Sequence, residues 1–348
     1  MNRIFPYIIA CLALVSTSCE KVIHEQEENL LPPEGSGYIK FTTNVESRAP
    51  IITDMKGQSF GVIGFTYPEY QTWTSARILA EPDLCHNLQV NCSADNVCTY
   101  DIDKNTNDNQ YMFWDLVNHH TFFAYYPIAS PDNGVTISPA TQKDTPFVKY
   151  QLPLRTDTSV NPDDLMDIMT ASAIDQTVRS GNVKLQFHHR LCCIEVVARN
   201  FNDDAQTISN LSVEIGGIQF TGIQVYMHKG DAKFSSIPEK SESWNVDNEV
   251  TFDILSDAVQ VAQNEVKSIS GNKNIMLVPQ AATLSGTVTF VKNGDTANPV
   301  TEAFSSDFDF EEGKKYSIII SFTGDDVIVL MVQSGVWEER DDVNYEFD

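Results

Sequence analysis

The stretch Val183–Phe201, VKLQFHHRLCCIEVVARNF, decides the fold. Val183, Leu185, Phe187, Leu191 and Cys193 alternate with Lys184, Gln186, His188 and Arg190. A period of two sends one set of side chains to one face of a strand and the other set to the opposite face. At Cys192-Cys193-Ile194 the phase slips, and Ile194 and Val196 carry the apolar character. A slip of one position exchanges the two faces, so the spacing predicts a bulge or a change of sheet there. The stretch follows a polar seam, RSGN at Arg179–Asn182, and is read as the first strand of a second domain.

The same habit extends in both directions. Upstream, Tyr38–Val45 alternates Ile39, Phe41 and Thr43 against Lys40, Thr42 and Asn44. FGVIGFTY at Phe60–Tyr67 is apolar enough to be buried on both faces, and WDLVNHHTFFAYYP at Trp114–Pro127 ends in an aromatic strand. Downstream, strands are predicted at Leu211–Ile215, Ile218–Met227, Val250–Ile254, Asn274–Pro279, Gly286–Val291, Lys315–Phe322 and Val327–Val332. Gly, Asn and Asp turns separate them at intervals that suit a β-sandwich. No long amphipathic helical pattern is present. Leu84–Met112 reads as the most irregular region.

The chain has 348 residues, room for two domains with cores. It carries 23 basic against 48 acidic residues, a formal net charge of −25. Binding nucleic-acid phosphates requires clustered Lys and Arg, so this balance argues against such a partner. It suits an exported protein that must stay in solution.

Met1–Cys19 reads as an export signal: Arg3, then a short apolar run from Ile4 to Val15, then Ser16-Thr17-Ser18-Cys19. Small residues before a cysteine resemble a bacterial lipobox, which makes Cys19 the predicted lipidation site and residues 1–18 the signal peptide. Residues 19–37 are polar, contain Pro32-Pro33, and read as a tether. Cys85, Cys92 and Cys98 fit no zinc spacing, and two of them are expected to form one disulfide within that loop, the pairing left open. Cys192 and Cys193 point to opposite faces of a strand and are expected to be free and buried.

Chemical motifs fare poorly. Gly57-Gln58-Ser59-Phe60-Gly61 spells G-x-S-x-G, but a strand follows where a nucleophile elbow needs a helix. The pairs His119-His120 and His188-His189 cannot chelate alone, because neighbours on a strand face opposite ways. Asp101, Asp103, Asn105 and Asn107 imitate a calcium loop, yet Thr106 and Met112 stand where Gly and Glu are required. No catalytic residue, metal site or cofactor is expected, and the chain is not read as an enzyme.

Several pieces, in order, resemble the fimbrillin-like proteins of Bacteroidetes, the subunits and anchors of type V pili. They are the lipobox at Cys19, IKFTTNVESRAP with Arg48, FGVIGFTY and the W…FFAYYP block. DDLM at Asp163–Met166 and LQFHHRL with Leu185, Phe187, His189 and Leu191 follow, then NIMLVPQ, GKKYSIII and the late Trp337. Asp115 departs from the proline common after that tryptophan, and the cysteine loop is unusual.

The resemblance implies an all-β fold of two tandem transthyretin-like β-sandwich domains, residues 38–180 and 181–348, after the signal and tether. It implies a lipid on Cys19 anchoring the chain to the outer membrane at the cell surface. It also implies cleavage between Arg48 and Ala49 by an arginine-specific protease. The strand Tyr38–Val45 would leave, and a strand donated from Val327 onward by another pilus subunit would fill the groove. The alternative is a stand-alone surface lipoprotein or tip adhesin that binds a glycan or a host protein.

Overall fold

The structure, a computed structural model, describes residues 37–45, 54–100, 112–150, 159–217, 223–228, 235–236, 250–271 and 273–336. The first ten strands are β1 (Phe41–Val45), β2 (Ser59–Pro68), β3 (Cys85–Cys92), β4 (Cys98–Tyr100), β5 (Asn118–Tyr126), β6 (Val135–Ile137), β7 (Phe147–Tyr150), β8 (Ser159–Val160), β9 (Met169–Gln176) and β10 (Val183–His189). One short helix, α1 (Trp73–Ala76), lies between β2 and β3. Seven strands form one sheet in the order β1-β10-β9-β5-β2-β3-β4.

The dense apolar runs of β2 and β5 are explained by burial on both faces. Phe60, Val62, Phe122 and Ala124 fill one side, while Ile63, Phe65, Phe123 and Tyr125 fill the other. The sheet also curls until its two ends meet. The Phe41 ring on β1 lies 5.6 Å from Tyr100 on β4 and 5.4 Å from Phe122 in the middle of the sheet. A sheet whose edge strands touch is close to a closed barrel. Its interior holds Ile39, Phe41, Val62, Phe122, Leu185 and Phe187.

The remaining strands are β11 (Cys192–Asn200), β12 (Gln206–Gly216), β13 (Ile223–Tyr226), β14 (Ser235–Ser236), β15 (Val250–Leu255), β16 (Val259–Val261), β17 (Val266–Ser268), β18 (Ile275–Leu277), β19 (Gln280–Lys292), β20 (Val300–Phe310), β21 (Lys314–Thr323) and β22 (Asp326–Val336). A five-stranded sheet runs β17-β11-β21-β22, with β18 also on β11. A six-stranded sheet runs β20-β19-β12-β15-β8, with β16 also on β12. The two sheets share one core in a sandwich. Phe322 meets Phe290 across it at 6.0 Å, and Tyr316 meets Phe310 at 4.8 Å. A four-stranded sheet, β14-β13-β7-β6, contributes to that same apolar cluster, which also takes in the outer face of the barrel.

The phase slip in the opening stretch is a change of sheet. β10 ends at His189 in the seven-stranded sheet, and β11 starts at Cys192 in the five-stranded one. The reading of Val183 as the start of a new domain is corrected. Val183–His189 pairs with β9 and β1, because its apolar set Val183, Leu185 and Phe187 belongs to the barrel interior. Pairing also crosses residues 180/181 elsewhere: β13 pairs with β7, and β8 pairs with β15.

Two further differences have local causes. The region read as irregular contains the β3–β4 hairpin, whose polar Cys-His-Asn start hides its alternation. β20 was not anticipated because Glu302 and Ser306 occupy half-buried positions among its inward phenylalanines. The pleated surface is tight where β12 and β19 meet: a Cβ on Gly286 would fall 2.1 Å from the Glu214 carbonyl oxygen and 2.8 Å from the Phe304 ring. Backbone cannot yield as a side-chain tip can, so Gly286→Ala should lower stability by about 1–3 kcal/mol in chemical denaturation. Gly271→Ala meets no neighbour and tests only the strain of its positive φ.

Candidate functional site

The site of interest is the slot that β1 occupies. β1 runs parallel to β10, pairing Phe41 with Val183, Thr43 with Leu185 and Val45 with Phe187. Ile39, Phe41 and Val45 are buried in the barrel, while Thr42 and Asn44 face water. Burying each of the three contributes about 1.5–3 kcal/mol before ordering costs. The opposite wall is β4, and no backbone ladder joins it to β1. Side chains close that gap: the Tyr100 hydroxyl donates to the Ile39 carbonyl, and the Thr43 hydroxyl donates to Asn96 Oδ1 at 3.0 Å. Among the described residues Phe41–Val45 thus holds its ladder on one edge only, while just before it Ile39 N–H donates to the Met112 carbonyl at 2.7 Å and Tyr38 bridges Phe113; parallel pairing is the weaker kind per residue.

The β3–β4 hairpin forming this wall is cross-linked. Cys92 and Cys98 sit opposite one another and are disulfide-bonded, leaving Cys85 as the unpaired thiol of the three. Cys192 and Cys193 are free and buried, as their strand position implied. Nothing in the spacing of the sequence marked Tyr100 and Asn96 as parts of this wall.

The chain's change of sheet is held by buried charge. His189 Nδ1 lies 2.7 Å from Asp167 Oδ2, with both side chains sealed from water. The next residue, Arg190, donates to Glu312 Oε1 at 2.5 Å and to the Tyr226 carbonyl at 3.1 Å, and its backbone N–H donates to Ile168. One side chain thereby ties the β10–β11 passage to the β20–β21 turn and to β13. Cys193 belongs to the same buried neighbourhood, but burial pushes its thiol far up, so it supplies no thiolate nucleophile.

The histidine pairs divide as strand geometry requires. His119 meets the Gln71 carbonyl at 2.9 Å, whereas His120 is buried between Trp114 and Phe122. Gly57 makes a turn at φ +70° that feeds β2, so Ser59 lies on a strand and bonds Asn91 at 2.7 Å. Cys19, Arg48 and Ala49 lie outside the described residues, as do Asp101, Asp103, Asn105, Asn107 and Trp337. The described β1 ends at Val45, three residues before Arg48.

A profile of the fimbrillin-like family matches residues 47–337. The chain belongs to the fimbrillin-like family. Its fold is similar to that of a fimbrial protein from Bacteroides vulgatus, with 15% identity, 86% of this chain and 99% of the other covered, and a TM-score of 0.62. It is also similar to a candidate cell adhesion protein from Bacteroides ovatus, with 15% identity, 88% and 100% covered, and a TM-score of 0.57. At such identity these structures speak for the all-β fold. Comparison with curated proteins gives no match.

Two outcomes follow from the buried polar groups. Arg190→Ala removes the buried guanidinium's bonds to Glu312 Oε1 and the Tyr226 carbonyl and should cost about 3–5 kcal/mol in denaturant titration. Removal of the exposed Lys56–Asp54 pair should change stability by less than about 1 kcal/mol. Burial lowers the His120 pKa, opposed by the nearby Asp115 carboxylate and reinforced by His119. The unfolded chain therefore takes up that proton first as pH falls through about 6.5, and the folded state loses stability below it. His120→Phe should gain stability relative to the parent as pH is lowered from about 7 to about 5, read from paired melts.

Proposed function

We propose that this protein is a structural component of a cell-surface fimbrium, assembled by strand donation after cleavage at Arg48. The observation that carries the reading is β1 itself: three buried anchors and a ladder to β10, with an arginine, Arg48, three positions past its end in the sequence. Cutting between Arg48 and Ala49 would sever β1 from the rest of the barrel. Its retention would then depend on non-covalent contacts alone. Departure would uncover the free edge of β10 and the apolar residues Val183, Leu185 and Phe187, and an exposed edge of this kind invites an incoming strand.

The donor lies within 327–348. β22 is laddered to β21 along its length, which ties residues 326–336 to their own sheet. Beyond it, Val343, Tyr345 and Phe347 alternate with Asn344, Glu346 and Asp348. That period of two is the one on which Ile39, Phe41 and Val45 fall, so Val343–Asp348 is taken as the donor strand. Export as a lipoprotein on Cys19 would deliver the precursor to the outer membrane, where other pilus subunits are its partners. Membership of the fimbrillin-like family supports a fimbrial or adhesive role; the alternative is a stand-alone surface lipoprotein or tip adhesin binding a glycan or host protein.

The test is to treat the purified chain with an arginine-specific protease and follow its mass in solution. The account expects a ladder of oligomers that is abolished by Arg48→Ala and by Tyr345→Asp with Phe347→Asp. Oligomers that form equally well in either variant would refute it.

A further inference from the structure

We infer that the Cys92–Cys98 disulfide is a redox latch that holds β1 in the barrel. The side-chain contacts that Tyr100, Asn96 and Cys98 make across the open seam of the slot all fall on the hairpin this bond staples. Tyr100 takes the Ile39 carbonyl and packs on Phe41, Asn96 accepts from Thr43, and the Cys98 sulfur lies 4.0 Å from the Thr43 hydroxyl. β3 is laddered to β2, so the weakly held half of the hairpin is β4. β4 is three residues long and pairs only with β3, through Val90–Tyr100, Asn91–Thr99 and Cys92–Cys98. Its connecting turn passes through Asn96 at φ 60°, a strained conformation for a side-chain-bearing residue. A three-residue edge strand laddered on one side is the part of the sheet that a staple holds most directly.

The chemistry balances with an external dithiol. One of its thiolates attacks the half-buried Cys98 sulfur, since Cys92 is buried, and the bond to Cys92 breaks. The second thiol closes the dithiol into its own disulfide, so two electrons and two protons pass to Cys92 and Cys98. Cys85 does not compete: it starts β3 at the far end from Cys92, and burial pushes its thiol up to about 12. With the bond open, the hairpin splays and the Thr43 and Tyr100 contacts part, leaving the β1 segment its ladder to β10, the Ile39 N–H bond to the Met112 carbonyl and the Tyr38–Phe113 bridge.

The biological consequence rests on the strand-release reading above, but the test reads β1 directly and needs neither cleavage nor polymer. Amide hydrogen exchange is measured on the full chain, oxidised and after reduction with a water-soluble phosphine, with thiol alkylation confirming the open bond. Exchange at Phe41–Val45 should accelerate by ~10-fold or more while β21 stays protected. The double variant Cys92→Ser with Cys98→Ser should match the reduced chain, and Cys85→Ser should match the oxidised one. Unchanged exchange in β1 with the bond open would overturn the inference, as would β1 and β21 accelerating together.

Discussion

Strand β1 closes the barrel from far away in the chain: Thr42 and its neighbour Val183 are 141 residues apart. Bringing such distant segments together costs loop-closure entropy, though that cost grows only slowly with length. Ile39, Phe41 and Val45 offset it by filling the space between the two ends of a seven-stranded sheet. Without them, Phe122, Leu185 and Phe187 would face water across an open cleft. The barrel's interior thus depends on a segment far in sequence from the strand it pairs with.

The passage at Arg190–Leu191 has the opposite character. A sheet change there is forced by the slipped apolar phase, and Arg190, Glu312, His189 and Asp167 fix it with buried hydrogen-bonded charge. Charge of this kind is a poor source of net stability but a strong determinant of one geometry, because any alternative leaves an ion dry and unpaired. β13 and β8 reinforce it by pairing across the same passage. The molecule therefore combines a junction fixed by buried polar pairs with a slot whose β1–β4 seam is closed by side chains and not by a backbone ladder.

Much of this was legible from residues alone. Period-two alternation located β1 and β10, dense apolar runs located β2, β5, β11, β21 and β22, and the slip at Cys192 marked the sheet change. Adjacent cysteines and histidines were correctly separated by strand geometry. The sheet to which β10 belongs was not legible, because alternation specifies faces and says nothing of neighbours. The β3–β4 hairpin hid behind polar residues, and β20 behind Glu302 and Ser306. The slot's far wall could not be read at all: Tyr100 and Asn96 become relevant only once the sheet has curled, a property of the whole sheet rather than of any window of sequence.

The measurement that tests the account most directly is the intact mass of subunits recovered from assembled fibres on native cells. If β1 is a temporary occupant of the barrel, assembled subunits begin at Ala49. Assembled subunits that still carry Tyr38–Val45 would show that β1 stays in place, and strand donation into its slot would be ruled out.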